Sequence, residues 1–399
     1  MSLYYPSFKE SREIGQGVYK GKSSIDRYIG EHAVLLTGFD KEEDGTEVFE
    51  FKNTSGLAFG AQGFGKLKRD LIISISYPKG VLKVDKIDKD GIGHKYIMVR
   101  GLQIHVAEIG AGSSVVLFYY GFPEMWYSWR YQMLAVANKG FRAIVPDYQG
   151  YGVSEMPQEP EKTTFLRLVN DLFAVLRNMG ISKVFLVAKG FGVQIASLFA
   201  IRHQEMVNGI ITIGPPSIPG TQFSPFQNLS PKCYLSRWKD PQKAKDEFNC
   251  LDPKAIVRKI YILFSQDEIP ETCDGENNLD LIDDSLCPSW ITEDDLTFYG
   301  TWYERTGFST ALKVPLSLDE NVKLVNQQIR VPALMIIAGK DHLLKFPGIH
   351  DYIQCERVNK FVSDLEMKYL PEGTHFVQEQ LPDDVNEAIL TVMSKHSLL

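Results

Sequence analysis

From about residue 93 onward the chain alternates two kinds of apolar pattern. Short, nearly continuous apolar runs at Val115–Tyr120, Phe141–Val145, Val184–Val187, Ile210–Ile213 and Ala333–Ala338 read as strands buried on both faces. Between two of them Phe165, Leu168, Val169, Leu172 and Leu176 keep helical spacing, and Gly180 stands where a C-cap belongs. Ahead of them Gly93–Val99 and Leu102–Ile109, joined at Arg100-Gly101, read as a hairpin. Strand alternating with helix predicts an α/β fold built on a doubly wound, mostly parallel sheet. One strand has a special exit. Val184–Val187 runs into the small-residue corner Ala188-Lys189-Gly190-Phe191-Gly192, and an amphipathic segment from Gln194 to His203 follows. That order predicts a buried strand, a tight turn and a helix.

Two stretches depart from this rhythm. Residues 216–330 are polar, hold four of the five cysteines, and contain Trp238, Trp290 and Trp302. They are predicted to form a helical lid inserted into a core made of residues 93–215 and 331–399. Residues 1–80 instead show short β-type runs (Ala33–Gly38, Val48–Lys52, Leu71–Tyr77) between Gly-containing turns such as Glu43-Asp44-Gly45. They are predicted to form a small antiparallel β domain, followed by a polar linker over 81–92.

A length of 399 residues suits one large domain plus a small one. Hydrophobic residues make up 44% and aromatic residues 12%, which supplies a sizeable core and excludes a disordered chain. The net charge is −7 and no Lys/Arg-rich run stands out, so no nucleic-acid partner is expected. The cysteines form no C-x-x-C or Cys/His cluster, and no motif implies a metal or cofactor. A disulfide among Cys233, Cys250, Cys273 and Cys287 stays open beside the blander reading of free thiols in a reducing compartment. The first ten residues turn polar too soon for a signal peptide, and Val115–Tyr120, the longest apolar run, is too short for a membrane span. A soluble, cytoplasmic protein is expected.

Motifs in the first segment carry a resemblance. Gly17-Val18-Tyr19-Lys20-Gly21, Glu31–Phe39, Phe51-Lys52-Asn53-Thr54-Ser55-Gly56, Gly63-Phe64-Gly65 and Ser76-Tyr77-Pro78 resemble the C-terminal lobe of papain-like cysteine proteases. The resemblance places His32 at the family's base and Asn53 at the residue that orients it. No cysteine precedes Cys233, and Ser55 and Phe59 stand where the family has tryptophan. A His–Asn pair without a thiolate forms no acyl-enzyme. The resemblance therefore implies a docking or packing module, open to a protein partner, and no protease.

The rest of the chain, from about Val84, carries Gly121-Phe122-Pro123-Glu124-Met125-Trp126-Tyr127-Ser128-Trp129-Arg130. In order there follow Pro146-Asp147-Tyr148-Gln149-Gly150-Tyr151-Gly152-Val153-Ser154, Lys345–Gly348 and Gly373-Thr374-His375-Phe376. These motifs resemble soluble epoxide hydrolases of the plant type. The resemblance implies an α/β-hydrolase core whose turn at Ala188–Gly192 is the nucleophile elbow, with the pattern Gly-x-nucleophile-x-Gly. In that family an elbow Asp opens the epoxide as an ester, a His paired with an acid activates water, and two lid tyrosines hold the epoxide oxygen. Carried over residue by residue, the acid is Asp341, the base is His375, and the nucleophile position is Gly190. Lys189 replaces the family's preceding His, Phe191 its following Trp, and Tyr120 the His of the H-G-x-P turn. The first lid tyrosine falls loosely at Tyr234. The second falls in Leu312–Leu316 and is missing.

The backbone N–H groups of Phe122 and Phe191 are the candidate oxyanion donors. Trp126 and Asp147, inside the matching motifs, are read as residues of the same pocket. Lys189 has two readings: an amine in the pocket that binds an anion or forms a Schiff base, or a side chain turned away from it and structural or solvated. Tyr120 likewise is a proton donor in the pocket or a hydrogen-bonding stand-in for the family's His.

Glycine has no side chain with which to attack, so the ester route is closed while the base remains. The first functional expectation is a non-hydrolytic acid/base enzyme of the cyclase, isomerase or lyase type, acting on a small apolar molecule. A catalytically inactive ligand-binding pseudoenzyme is the alternative. Epoxide hydrolysis by direct water attack is the third reading.

Overall fold

In the computed structural model the chain divides into two compact units, Met1–Lys83 and Val84–Leu399. The residues described are the seven strands before residue 80 given next, together with 86–87, 91–215, 230, 233–248, 251–267, 279–316, 328–346, 348–354 and 357–396.

The first unit contains β1 (Ser2–Tyr4), β2 (Val18–Tyr19), β3 (Glu31–Ala33), β4 (Leu35–Lys41), β5 (Glu47–Lys52), β6 (Phe64–Lys68) and β7 (Ile72–Ser74). They form a three-stranded sheet in the order β3-β1-β7 and a four-stranded sheet in the order β2-β6-β5-β4. Every pairing is antiparallel except that of β2 with β6. His32 lies in β3, and Asn53 falls outside the described residues.

The second unit is built on β8 (Lys86–Ile87), β9 (Gly93–Val99), β10 (Leu102–Ile109), β11 (Val115–Tyr119), β12 (Arg142–Pro146), β13 (Val184–Lys189), β14 (Val207–Ile213), β15 (Ala333–Ala338) and β16 (Leu365–Leu370). Its nine-stranded sheet runs β16-β15-β14-β13-β11-β12-β10-β9-β8. The strands from β12 to β16 are parallel, while β10, β9 and β8 add antiparallel beyond β12. The near-continuous apolar runs are the central strands, and every residue of β11 and β13 is buried. The sequence pattern missed β16, Leu365-Glu366-Met367-Lys368-Tyr369-Leu370. As the edge of the sheet it leaves its four middle residues exposed and has no buried run to reveal it.

Helices pack against this sheet in two groups, Arg130–Asn138 with Pro382–His396 and Phe165–Asn178 with Gly192–Arg202. The second pair shows why the sequence stops where it does. The Thr164 hydroxyl accepts from the Arg167 N–H at 3.1 Å to start the helix Phe165–Asn178. Gly180, at φ +69°, takes the left-handed turn that ends it.

Strand order reverses at the centre, because β11 has β13 on one side and β12 on the other. The carboxyl ends of β11 and β13 therefore open onto the crevice where doubly wound folds bind ligands. Over this end the described part of 216–330 contains the helices Tyr234–Trp238, Pro241–Phe248, Pro253–Phe264, Glu293–Thr306 and Ser309–Leu316. Three tyrosine hydroxyls tie it to the core. Tyr303 donates to the Pro123 carbonyl at 2.9 Å, Tyr151 to the Ala311 carbonyl at 2.5 Å, and Tyr127 to the Asp295 carboxylate at 2.8 Å.

Cys287 is a free thiol, and Cys250, Cys273 and Cys355 lie outside the described residues. Among the described residues no helix is long and apolar enough to cross a membrane.

Candidate active site

The turn after β13 has the form that its small residues imply. Gly190 sits at φ +57°, in the left-handed region, between the end of β13 and the helix that begins at Gly192. A Cβ at Gly192 would lie 2.6 Å from the Tyr120 carbonyl oxygen, so only glycine fits there. Gly190 is different. A Cβ there would meet the Gly121 Cα at 3.1 Å, and beyond Gly121 nothing else stands within 4 Å. Gly190 is half-buried between Lys189 and Phe191, both buried, so the apex is the most exposed point of the turn.

His375 and Asp341 come together across the end of β15. The His375 Nδ1 lies 3.1 and 3.2 Å from the two Asp341 carboxylate oxygens. Burial by itself raises the Asp341 carboxyl. The neighbouring His375 and its hydrogen bond outweigh that and hold it well below the usual carboxylate range. Asp341 is thus an anion, His375 donates Nδ1–H to it, and Nε2 is the ring atom left to exchange a proton with a substrate. Phe264 from the lid stands edge-on to His375 at 5.4 Å, and Phe376, stacked on Phe264, lies 5.2 Å away.

Tyr234 reaches the same cluster through a residue the sequence reading did not single out. Its hydroxyl lies 3.1 Å from His342 Nε2, and the His342 ring is 5.0 Å from the His375 ring. Burial pushes the His342 pKa down to about 3, so it is a neutral imidazole. The signal was present, since a second histidine directly follows the acid at the end of a strand. Burial likewise raises the Tyr234 hydroxyl well above the usual tyrosine range, which keeps it protonated.

Phe191 follows Gly190 directly, and Phe122 follows Gly121, whose Cα lies 3.1 Å from where a Gly190 Cβ would stand. The Phe122 ring packs edge-on against Trp238, Phe248 and Phe308 of the lid, at 5.9, 6.0 and 6.3 Å, and so fixes its own backbone under the lid.

Lys189 is turned away from the site, and it is not solvated. It is 1% exposed, with Nζ donating to Glu124 Oε2 at 2.9 Å and standing 4.6 Å over the Phe376 ring. Glu124 also accepts from the Gly121 N–H at 3.0 Å and from Gln378 Nε2 at 2.5 Å. The Schiff-base reading fails because this amine is already spent in a buried ion pair behind the elbow. Glu124, missed in the sequence, follows Gly121 by three residues and holds the turn at the end of β11.

Tyr120 also faces away from the substrate side. Its hydroxyl donates to Asp147 Oδ1 at 3.1 Å and accepts from the Tyr148 N–H at 2.9 Å. Burial raises it well above the usual tyrosine range. The proton-donor reading is therefore corrected to the hydrogen-bonding one. Asp147 is corrected with it. Fully buried, it also accepts from the Trp126 N–H at 3.0 Å and lies 2.9 Å from His105 Nδ1, so it joins Tyr120, Trp126 and His105 in one buried network. Trp126 packs on His94 and Phe298 beside that network. Tyr120→Phe is expected to cost about 1–2 kcal/mol of stability through the lost hydrogen bond. Any turnover should change by less than about tenfold; a loss of 10²-fold or more would reinstate Tyr120 as an acid.

A family model for the alpha/beta hydrolase fold matches residues 114–247. Epoxide hydrolase 3 of Siraitia grosvenorii is 32% identical over 317 residues, a span of 77% of this chain and 99% of that protein. The chain belongs to the epoxide hydrolase family of α/β-hydrolases. Epoxide hydrolase A of Mycobacterium tuberculosis is 27% identical over 318 residues, covering 75% of this chain and 97% of that one. Among solved structures, potato (Solanum tuberosum) epoxide hydrolase I superposes with a TM-score of 0.69 at 30% identity, over 76% of this chain and 99% of its own. A Vigna radiata epoxide hydrolase gives 0.72 at 28% identity, over 77% and 99%. In this chain Asp341 and His375 form a hydrogen-bonded pair, and glycine occupies the apex of the turn after β13.

Proposed function

We propose that the second unit is a lidded acid/base enzyme that acts on a small apolar organic molecule without forming an ester to the protein. One observation carries the reading: Gly190 at the apex of the turn has no side chain, while Asp341 and His375 are hydrogen-bonded to each other. His375 Nε2 takes a proton from the substrate, and Asp341 holds the ring in the tautomer that allows this and stabilises the imidazolium. The N–H groups of Phe122 and Phe191 receive the oxyanion that develops. Tyr234, kept protonated by burial, supplies the acid from the lid side. Cyclisation, elimination and isomerisation all need these parts and no nucleophile.

Direct attack on an epoxide by water that His375 activates is the second reading. It is favoured by the relatives, which carry the name epoxide hydrolase. Both readings place the proton transfer at one atom. His375→Ala is expected to lower turnover of any substrate by roughly 10²–10⁴ while the melting temperature stays within a few degrees. Unchanged turnover in a folded variant would sink both. The two part on product analysis, by isomer or cyclised product against diol.

A further inference from the structure

We propose that the outer edge of β16 pairs with the same strand of a second copy of this chain, antiparallel and centred on Met367, joining two nine-stranded sheets into one. This pairing is independent of the proposed reaction.

Among the described residues β16 closes the sheet on one side, and no strand lies beyond it. Its inner side is fixed by β15. The Ala333 N–H donates to the Asp364 carbonyl and the Gly339 N–H to the Leu370 carbonyl, both at 2.8 Å. Peptide groups alternate in direction along a strand. The even-numbered residues therefore face β15, and the N–H and C=O groups of Leu365, Met367 and Tyr369 point outward.

Sheets usually blunt such an edge with proline, a bulge or a very short strand. The opposite edge does so, because β8 has 2 residues. β16 has 6, without proline or glycine, and its register with β15 runs unshifted. Met367 and Tyr369, which share a face by strand alternation, are 50% and 58% exposed.

Charge and chain chemistry choose the register. A two-fold axis across the edge sets β16 antiparallel to its own copy, centred on one residue. Centred on Glu366 or on Lys368, identical charges would stand directly opposite each other. Centred on Leu365, Glu366 would face the partner's Asp364. Centred on Tyr369, Met367 would face the partner's Pro371, which has no N–H to donate. Centred on Met367, every position is matched. Glu366 faces the partner's Lys368, and the axis repeats that pair. Met367 exchanges both hydrogen bonds with the partner's Met367, and Leu365 with the partner's Tyr369. The exposed apolar side chains then lie together on one face. Glu366 also accepts from Lys395 of its own chain at 2.8 Å, and an exposed carboxylate has lone pairs for both cations.

The test is sedimentation velocity of the full chain over a concentration series. It is expected to show a monomer–dimer equilibrium with a dissociation constant on the order of 10 µM, as suits a small interface. Met367→Pro removes an outward N–H and leaves the ladder to β15 intact, so it should leave the chain monomeric throughout. Lys368→Glu sets carboxylates opposite each other and should weaken association by roughly tenfold or more. Glu366→Lys/Lys368→Glu restores the matched pairs and should return to within about threefold of the parent, the exposed Lys395 contact being worth little. Circular dichroism and melting check each fold, and the two charge variants carry the test if the proline variant does not fold. Amide exchange at Leu365, Met367 and Tyr369 should slow as concentration rises. Four results would overturn the proposal: a parent that stays monomeric, a dimer that survives Met367→Pro, a double variant no tighter than Lys368→Glu, or slow exchange independent of concentration, which would mean that another part of the same chain covers the edge.

Discussion

Gly190→Asp is expected to turn this chain into a covalent epoxide hydrolase. Diol formation from a simple aryl epoxide such as styrene oxide should rise by on the order of 10⁴. Of the parts the ester route needs, the tight turn, the Asp341–His375 pair and the lid tyrosine Tyr234 are present, and the nucleophile and the second lid tyrosine are not. The turn holds φ +57° at Gly190, a region that Asp enters more readily than most residues, at a cost of about 1–2 kcal/mol. The new Cβ would stand 3.1 Å from the Gly121 Cα, so Gly121 must yield by a few tenths of an ångström. Past that contact the space ahead of Gly190 is open, which is where the carboxylate would extend. Attack on an epoxide carbon breaks the C–O bond. The alkoxide takes a proton from the lid side, and water activated by His375 then cleaves the ester. Intact mass during turnover should show an adduct equal to the mass of the epoxide. A folded variant with neither adduct nor diol would mean that the site around Gly190 is not shaped for an epoxide.

The second large effect concerns stability. Lys189→Met is expected to destabilise the second unit by about 3–5 kcal/mol, because it leaves the Glu124 carboxylate buried without its cation. For a unit of this size that is a fall of roughly 5–15 °C in melting temperature. The double variant Lys189→Met/Glu124→Gln removes the stranded charge and keeps the acceptor for the Gly121 N–H, and so it should recover most of the loss. A thermal melt of the four proteins in this cycle reads the coupling directly. If Lys189→Met melted within 2 °C of the parent, the amine would not be the partner that holds the elbow.

The strands that position the site were legible because they are buried on both faces. Val115–Tyr119 and Val184–Lys189 have no exposed residue, so an unbroken apolar run marks each one. The turn at Gly190 was legible because close backbone approach leaves only glycine at Gly192. The acid and the base were found through the order of motifs, since nothing local distinguishes Asp341 or His375 from other buried polar residues. Three roles could not be read. Whether Lys189, Tyr120 and Asp147 face the substrate or the interior depends on partners 65, 27 and 42 positions away in sequence, namely Glu124, Asp147 and His105. His342 was passed over for the same reason, as its meaning comes from Tyr234 in the lid, 108 residues earlier. The edge strand Leu365–Leu370 was lost because its middle residues are exposed.

The central claim is that this epoxide-hydrolase-family site works without an ester to the protein. One measurement bears on it most directly: a single turnover of the unaltered chain with styrene oxide in ¹⁸O water, with intact-protein mass recorded alongside. The expected result is no adduct at any time, no label in the protein, and ¹⁸O in the first-turnover diol if any diol forms. An adduct of the epoxide's mass, or an unlabelled first-turnover diol with label in the protein, would contradict it.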